Sequence, residues 1–208
     1  SSSRNHHTLP MTASPFAQVE LAPRDPILGL TEAFVADTNP NKVNLGVGVY
    51  NDDTGKLPLL RCVQMAGRQL MEESQSKGYL PIDGLNSYDR AVQSLVFGTA
   101  SQATKDGRIA TIQALGGTGG LKVGADFLKR LYPESQITIS DPSWENHRAL
   151  FEGAGFKVNT YPYYDAKTHG VRFDPMVQTL QGLPRGAIVV LHACCHNPTG
   201  VDLSAEQW

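Results

Sequence analysis

Four clusters of residues in this chain have types and spacings that could do chemistry. The first is Gly116-Gly117-Thr118-Gly119-Gly120. A glycine-rich turn opening a helix exposes backbone N–H groups, and the helix dipole favours an anion there. Thr118 adds a hydroxyl donor, so a phosphate fits. A tight strand-to-helix turn without a ligand fits the same residues. No Gly-Lys-Ser/Thr follows, which excludes a Walker loop, and the glycine spacing is wrong for a dinucleotide fingerprint.

The second cluster is Asp141-Pro142-Ser143-Trp144-Glu145-Asn146-His147. An indole at the first turn of a helix could stack on a flat heteroaromatic ring; it could equally be a packed core residue. The third runs from His192 through Cys194, Cys195, His196, Asn197 and Pro198 to Gly200. Asn197 precedes a proline, which favours extended or turn geometry. Its amide could donate to a phenolate-type oxygen, or the segment could be a plain Asn-Pro turn. His192 and His196 are four apart on a strand-like stretch, but no third metal ligand accompanies them. The fourth, Lys77 to Gly84, reads only as a loop carrying Tyr79.

The elements that must position these clusters follow from hydrophobic periodicity. A helical stretch follows Pro26 through Phe34, Val43–Tyr50 reads as extended, and Thr54-Gly55-Lys56 as a turn. Helices are expected over Leu59–Ser76 and Ser87–Phe97. Strands are expected over Ile109–Leu115, Gln136–Ser140, Val158–Tyr164 and Ala187–Cys195. Helices should intervene after Gly120 and from Pro142 to Gly155. The last strand is a near-continuous apolar run, which suits burial on both faces. Such alternation implies an α/β fold: a mainly parallel sheet flanked by helices. Ligands bind beyond the carboxyl ends of the strands in such sheets. Three of the four clusters directly follow an expected strand, a convergence stronger than any single motif.

Composition narrows the function classes. The chain has 208 residues, 40% of them apolar, 18% charged, and a formal net charge of -2. Without a basic run there is no electrostatic case for nucleic acid or an acidic membrane. No apolar stretch of about 18 residues is present to span a bilayer. Three cysteines, two of them adjacent, argue against a disulfide framework and for a reducing, cytoplasmic setting. Residues 1–13 read as a disordered arm or an expression remnant.

Taken together, the segments resemble the aspartate aminotransferase family of class I pyridoxal-phosphate-dependent aminotransferases. The stretches that carry the resemblance are Asp25–Leu30, Val43–Tyr50, Tyr79–Gly84, Gly116–Gly119, Gly124–Leu128, Pro142–His147, and His192–Gly200 followed by Glu206-Gln207-Trp208. Their order and spacing agree with the family over about residues 14 to 208. Gly120 stands where the family commonly has alanine.

The resemblance implies a fold-type I large domain, incomplete, plus an N-terminal segment of the smaller domain. Residues 14–57 would be the arm and small-domain segment, and 58–208 the first part of the large domain. It implies pyridoxal 5'-phosphate as cofactor, with its phosphate on the backbone of Gly117 and Thr118 and its ring against Trp144. Asn197 would bond the ring's 3'-oxygen and reach the substrate carboxylate, to which Gly48 would offer its backbone. Ile27, Leu28 and Val47 would line the entrance. His147 and His192 would stand behind the ring, His147 bracing the acid that pairs with the ring nitrogen. Tyr79 would reach the phosphate of the partner subunit in a homodimer. Both Asp141-Pro142 and Asn197-Pro198 would be cis peptides.

The implied activity is ping-pong amino transfer between an amino acid, aspartate or glutamate, and a 2-oxo acid. No lysine here matches the Schiff-base position, which in the family lies beyond Trp208. These 208 residues alone are therefore expected to be inactive and incompletely folded. Three other readings stay open: an aromatic amino acid aminotransferase of the same subgroup, a non-catalytic binding role, and an unrelated phosphate-binding α/β protein.

Overall fold

The computed structural model describes residues 16, 19–20, 26–44, 46 and 48–208, without the side chains of residues 26–28. The expectations for residues 1–13, for Val47 and for the side chains of Ile27 and Leu28 lie outside the described residues. The chain divides into two units, one ending at Ser76 and one running from Lys77 to Trp208.

In the first unit, α1 spans Pro26–Ala36. Its end is held by Lys42, whose Nζ donates to the carbonyls of Phe34 and Asp37, both at 2.6 Å. A cation satisfying the last carbonyls of a helix is the favourable sign for its dipole. The expected turn is present: the Asp52 carboxylate accepts from the N–H groups of Thr54 and Lys56, and Gly55 has φ 75°. Helix α2, Arg61–Glu73, follows and buries none of its residues.

The second unit contains the sheet. Helices α3 (Asn86–Phe97) and α4 (Gln102–Lys105) precede α5 (Gly116–Leu131). Strand β1 (Ile137–Asp141) leads into α6 (Glu145–Gly153) and β2 (Val158–Pro162). A small antiparallel hairpin of β3 (Tyr164–Asp165) and β4 (Gly170–Val171) comes next, then α7 (Phe173–Gln181) and β5 (Ile188–Val189). The order β2-β1-β5 is parallel throughout, as the alternating pattern required.

Central β1 is buried on both faces. Ile137 and Ile139 pack with Ala125 of α5, Phe151 of α6, Phe156 and Val158. On the other side Tyr161, Tyr163 and Met176 of α7 form a second cluster. Helices thus cover both faces. Each fully buried aliphatic side chain contributes roughly 1.5–3 kcal/mol by leaving water.

Four expectations need correction. Ile109–Leu115 forms no ladder; its bonds go instead to the loop before α3 and to α3 itself. The Gln113 N–H donates to Asp83 O at 3.0 Å, and Gln93 Nε2 reaches Thr111 Oγ1 at 2.9 Å. This contact also demands Gly84: φ is 96°, and a Cβ would lie 2.3 Å from that of Gln113. Next, the glycine cluster is not a turn ahead of α5 but its first residues. The chain reverses at Gly116 alone, at φ 61°, a conformation costly for residues with a Cβ.

The third strand ends at Pro162 rather than Tyr164. Tyr163 then bonds Asp141 O and Arg172 N, and Tyr164 turns into the hairpin. Finally, only Ile188 and Val189 of the fourth strand pair, and residues 187–190 are half-buried rather than buried on both faces. Strand β5 has β1 on one side and no second neighbour among the described residues.

Candidate functional site

The carboxyl end of β1 delivers Asp141-Pro142 and, past them, Trp144 at the N-cap of α6. The carboxyl end of β5 delivers His192, His196 and Asn197 from the adjacent strand. Both expected cis peptides, Asp141-Pro142 and Asn197-Pro198, are cis. The parallel pairing of β1 with β5 therefore brings the second and third clusters side by side.

Their rings form a continuous column. Trp144 meets His147 edge-on with centroids 5.3 Å apart, and His147 meets His192 edge-on at 4.9 Å. His192 stacks on His196 at 4.3 Å, and His196 stacks on Tyr163 at 3.9 Å, nearly parallel at 13°. Trp144 is half-buried at one end of this column, so it is neither a core indole nor a free one.

Hydroxyls and backbone hold each imidazole. Ser143 Oγ lies 2.9 Å from His147 Nδ1. His196, 2% exposed, has Ser140 Oγ at 2.9 Å from Nε2 and Thr199 Oγ1 at 2.8 Å from Nδ1. Both of its nitrogens are thereby occupied, which removes the His192–His196 pair as metal ligands. Residues 193–195 also bend rather than continue the strand, so the four-residue spacing does not have its strand meaning.

Burial keeps all three imidazoles neutral. It lowers the pKa of His147 and His192, with the His192 charge adding to the effect on His147 and Asp202 opposing it on His192. His196 is lowered to about 4, chiefly by burial and then by His192, against the opposing Asp202 charge. Burial likewise pushes Tyr161 up to about 12 while its hydroxyl donates to Val190 O at 2.8 Å.

A neutral imidazole has one donor and one acceptor. The Asn197 N–H donates to His192 Nδ1 at 3.2 Å, so the His192 proton is assigned to Nε2. That Nε2 is buried and has no partner among the described residues. An orphaned buried donor costs free energy unless something accepts from it.

The remaining expected residues lie elsewhere. Gly117 and Thr118 occupy the first turn of α5, where N–H groups have no carbonyl four residues back. A Cβ on Gly117 would meet nothing within 4 Å. Helices α5 and α6 share one apolar cluster. Tyr79 is fully exposed at 108%. Gly48 belongs to the first unit, also exposed, with open space about it. Lys122 pairs with Asp126 on the exposed side of α5.

Sequence reading missed Ser140, Ser143, Tyr163, Thr199 and Asp202. Ser140 meets His196 only because distant strands pair, whereas Ser143, Thr199 and Asp202 bond residues three to seven positions away.

The family description "Aminotransferase class I and II" matches residues 40–208. The chain belongs to the class I and II aminotransferase family. An aspartate aminotransferase from Pseudomonas aeruginosa is 60% identical over 193 residues, 93% of this chain and 48% of that protein. An aromatic-amino-acid aminotransferase from Burkholderia pseudomallei, solved covalently bound to pyridoxal phosphate, superposes with TM-score 0.88 at 63% identity, covering 94% of this chain and 49% of that one. An aspartate aminotransferase from the cytoplasm of Saccharomyces cerevisiae gives TM-score 0.83 at 38% identity, covering 93% and 47%. The aminotransferase chain described here thus spans about half the length of the relatives it matches, and its α/β sheet is that of this family.

Proposed function

We propose that the whole protein transfers an amino group between aspartate or glutamate and a 2-oxo acid, with pyridoxal phosphate as cofactor. The observation that supports this most is the ring column at the carboxyl ends of β1 and β5, ending on half-buried Trp144 and carrying Asn197 on its His192. The donor set fits the cofactor: first-turn N–H groups at Gly117 and Thr118 for a phosphate, an indole face for a ring, and amide donors for a phenolic oxygen.

When bound, pyridoxal phosphate supplies the electron sink that stabilises the substrate carbanion. The chain's residues would bind and orient. Gly117 and Thr118 hold the phosphate at the start of α5, where the dipole favours it. Trp144 limits ring tilt, and His147 behind it stays neutral and fixed by Ser143. Asn197 would donate to the 3'-oxygen and reach the substrate carboxylate. Proton transfer at the substrate Cα is assigned to no residue of this chain.

In this reading residues 14–57 belong to the smaller domain and 58–208 to the larger. The protein is a cytoplasmic homodimer in which Tyr79 serves the partner's site; its full exposure leaves it available for that role. No helix among the described residues is long and apolar enough to cross a membrane.

The test is turnover of the whole protein with pyridoxal phosphate, measured for aspartate, tyrosine and phenylalanine against 2-oxoglutarate. The expected result is cofactor-dependent transfer with the highest kcat/KM for aspartate. Preference for tyrosine or phenylalanine would select the aromatic subgroup instead, and no cofactor-dependent transfer would overturn the proposal.

A further inference from the structure

The loop that carries Asn197 is closed on an internal carboxylate. Asp202 accepts the Cys195 N–H at one oxygen and the His196 N–H at the other, both at 2.8 Å. The next N–H, that of Asn197, goes to His192 Nδ1. Three successive donors are thus consumed on the inner side of one turn. Such a concave run of N–H groups is an anion-binding arrangement, and here its anion belongs to the same chain. Cys195 sits at φ 53°, a left-handed conformation unfavourable for a residue with a Cβ, which persists because the carboxylate holds its N–H.

Both sides of Asp202 are anchored. The Tyr163 hydroxyl donates to Val201 O at 2.7 Å, and Leu203 packs on the Tyr161–Tyr163–Met176 cluster. The turn between them is closed by Gly200 N–H to His196 O at 2.7 Å, with Val201 N–H on Thr199 Oγ1 at 3.2 Å. His196 itself is pinned by Ser140, Thr199 and the Tyr163 ring. Asn197, flanked by these fixed residues, is exposed.

We propose that Asp202 is a positioning residue for Asn197, holding the turn from Cys195 to Asn197 so that the Asn197 side chain is presented at the carboxyl ends of β1 and β5. Its meaning for catalysis rests on the reading under Proposed function; the geometry it claims does not. The bonds involve an ionised acceptor, the stronger class of hydrogen bond. The two N–H donors lower the Asp202 pKa, which keeps the carboxylate ionised through neutral pH.

Two measurements on the whole protein separate the claims. In cofactor-free protein, Asp202→Asn should accelerate amide exchange at Cys195, His196 and Asn197 by at least about tenfold, with Ile137 and Ile139 in β1 unchanged. Unchanged exchange at the three amides overturns the proposal. Equal acceleration in β1 overturns it too, because Asp202 would then support the fold at large. Should Asp202→Asn not fold, Asp202→Glu, which keeps the charge but moves it out of register, decides by the same comparison.

In protein loaded with pyridoxal phosphate, Asp202→Asn should move the pH midpoint of the cofactor's visible absorbance in the same direction as Asn197→Ala. The double variant should move it no further than Asn197→Ala alone; additive shifts overturn the claim that Asp202 acts through Asn197. If the wild-type protein shows no visible absorbance with pyridoxal phosphate, the functional reading fails while the exchange experiment still decides the positioning role.

Discussion

Replacing His196 with glutamine should remove much of the acid sensitivity of this protein's stability between pH 6.5 and about 4. His196 is 2% exposed, lies between the His192 and Tyr163 rings, and has hydroxyls on both nitrogens, so a charge there is poorly solvated. Its folded pKa is lowered from 6.5 to about 4. As pH falls, the unfolded chain takes up the proton first. Stability is therefore level above the unfolded pKa, falls as pH drops through the window, and levels again below the folded value.

Each unit of separation is worth about 1.4 kcal/mol, which places the upper limit near about 3 kcal/mol. Screening by solvent at the loop reduces this to about 2 kcal/mol. Glutamine keeps polar contacts for Ser140 and Thr199 but does not charge in this range. Urea unfolding of both proteins at intervals between about pH 7.5 and pH 4 gives the difference in stability directly. The wild-type protein should lose about 2 kcal/mol more than His196→Gln across the window. A difference that stays constant with pH would refute the reasoning, as would an NMR titration placing the His196 midpoint near its ordinary value.

Other substitutions test the packing and the α5 entry. Tyr161→Phe leaves the Val190 carbonyl without its 2.8 Å donor and should cost about 1–3 kcal/mol by urea unfolding. Ile137→Ala, at a position 0% exposed, should cost about 2–5 kcal/mol in the same assay. Gly116→Ala places a Cβ at φ 61° and should destabilise by about 1–2 kcal/mol. Gly117→Ala, with open space about it, should be neutral or stabilising by up to about 1 kcal/mol in cofactor-free protein. Comparable losses for the two glycine variants would contradict the assigned turn at Gly116 alone.

Which segments form helices and strands was largely legible along the chain. Periodicity placed α3, α5 and α6 within a few residues, and the alternation of elements required a parallel sheet with covered faces. The glycine cluster, the Trp144 segment and the Asn197 segment were visible because each follows an apolar run and breaks its pattern. Apolar pattern alone, however, does not specify a partner. Ile109–Leu115 reads as a strand yet joins no sheet, and β5 reads as doubly buried yet has one neighbour, among the described residues.

The amino-acid order by itself determined the local elements, the sites of chain reversal and the clusters at strand ends, because propensity, periodicity and proline geometry act over a few residues. Only the tertiary structure decided which clusters meet. Pairing β1 with β5 brings His147 edge-on to His192, which stacks on His196, and sets Ser140 against a histidine 56 residues away. The turn before Asn197 is instead held locally, by Asp202 and His192. Neutral imidazoles and an orphaned His192 donor follow from burial, which no local stretch of sequence encodes.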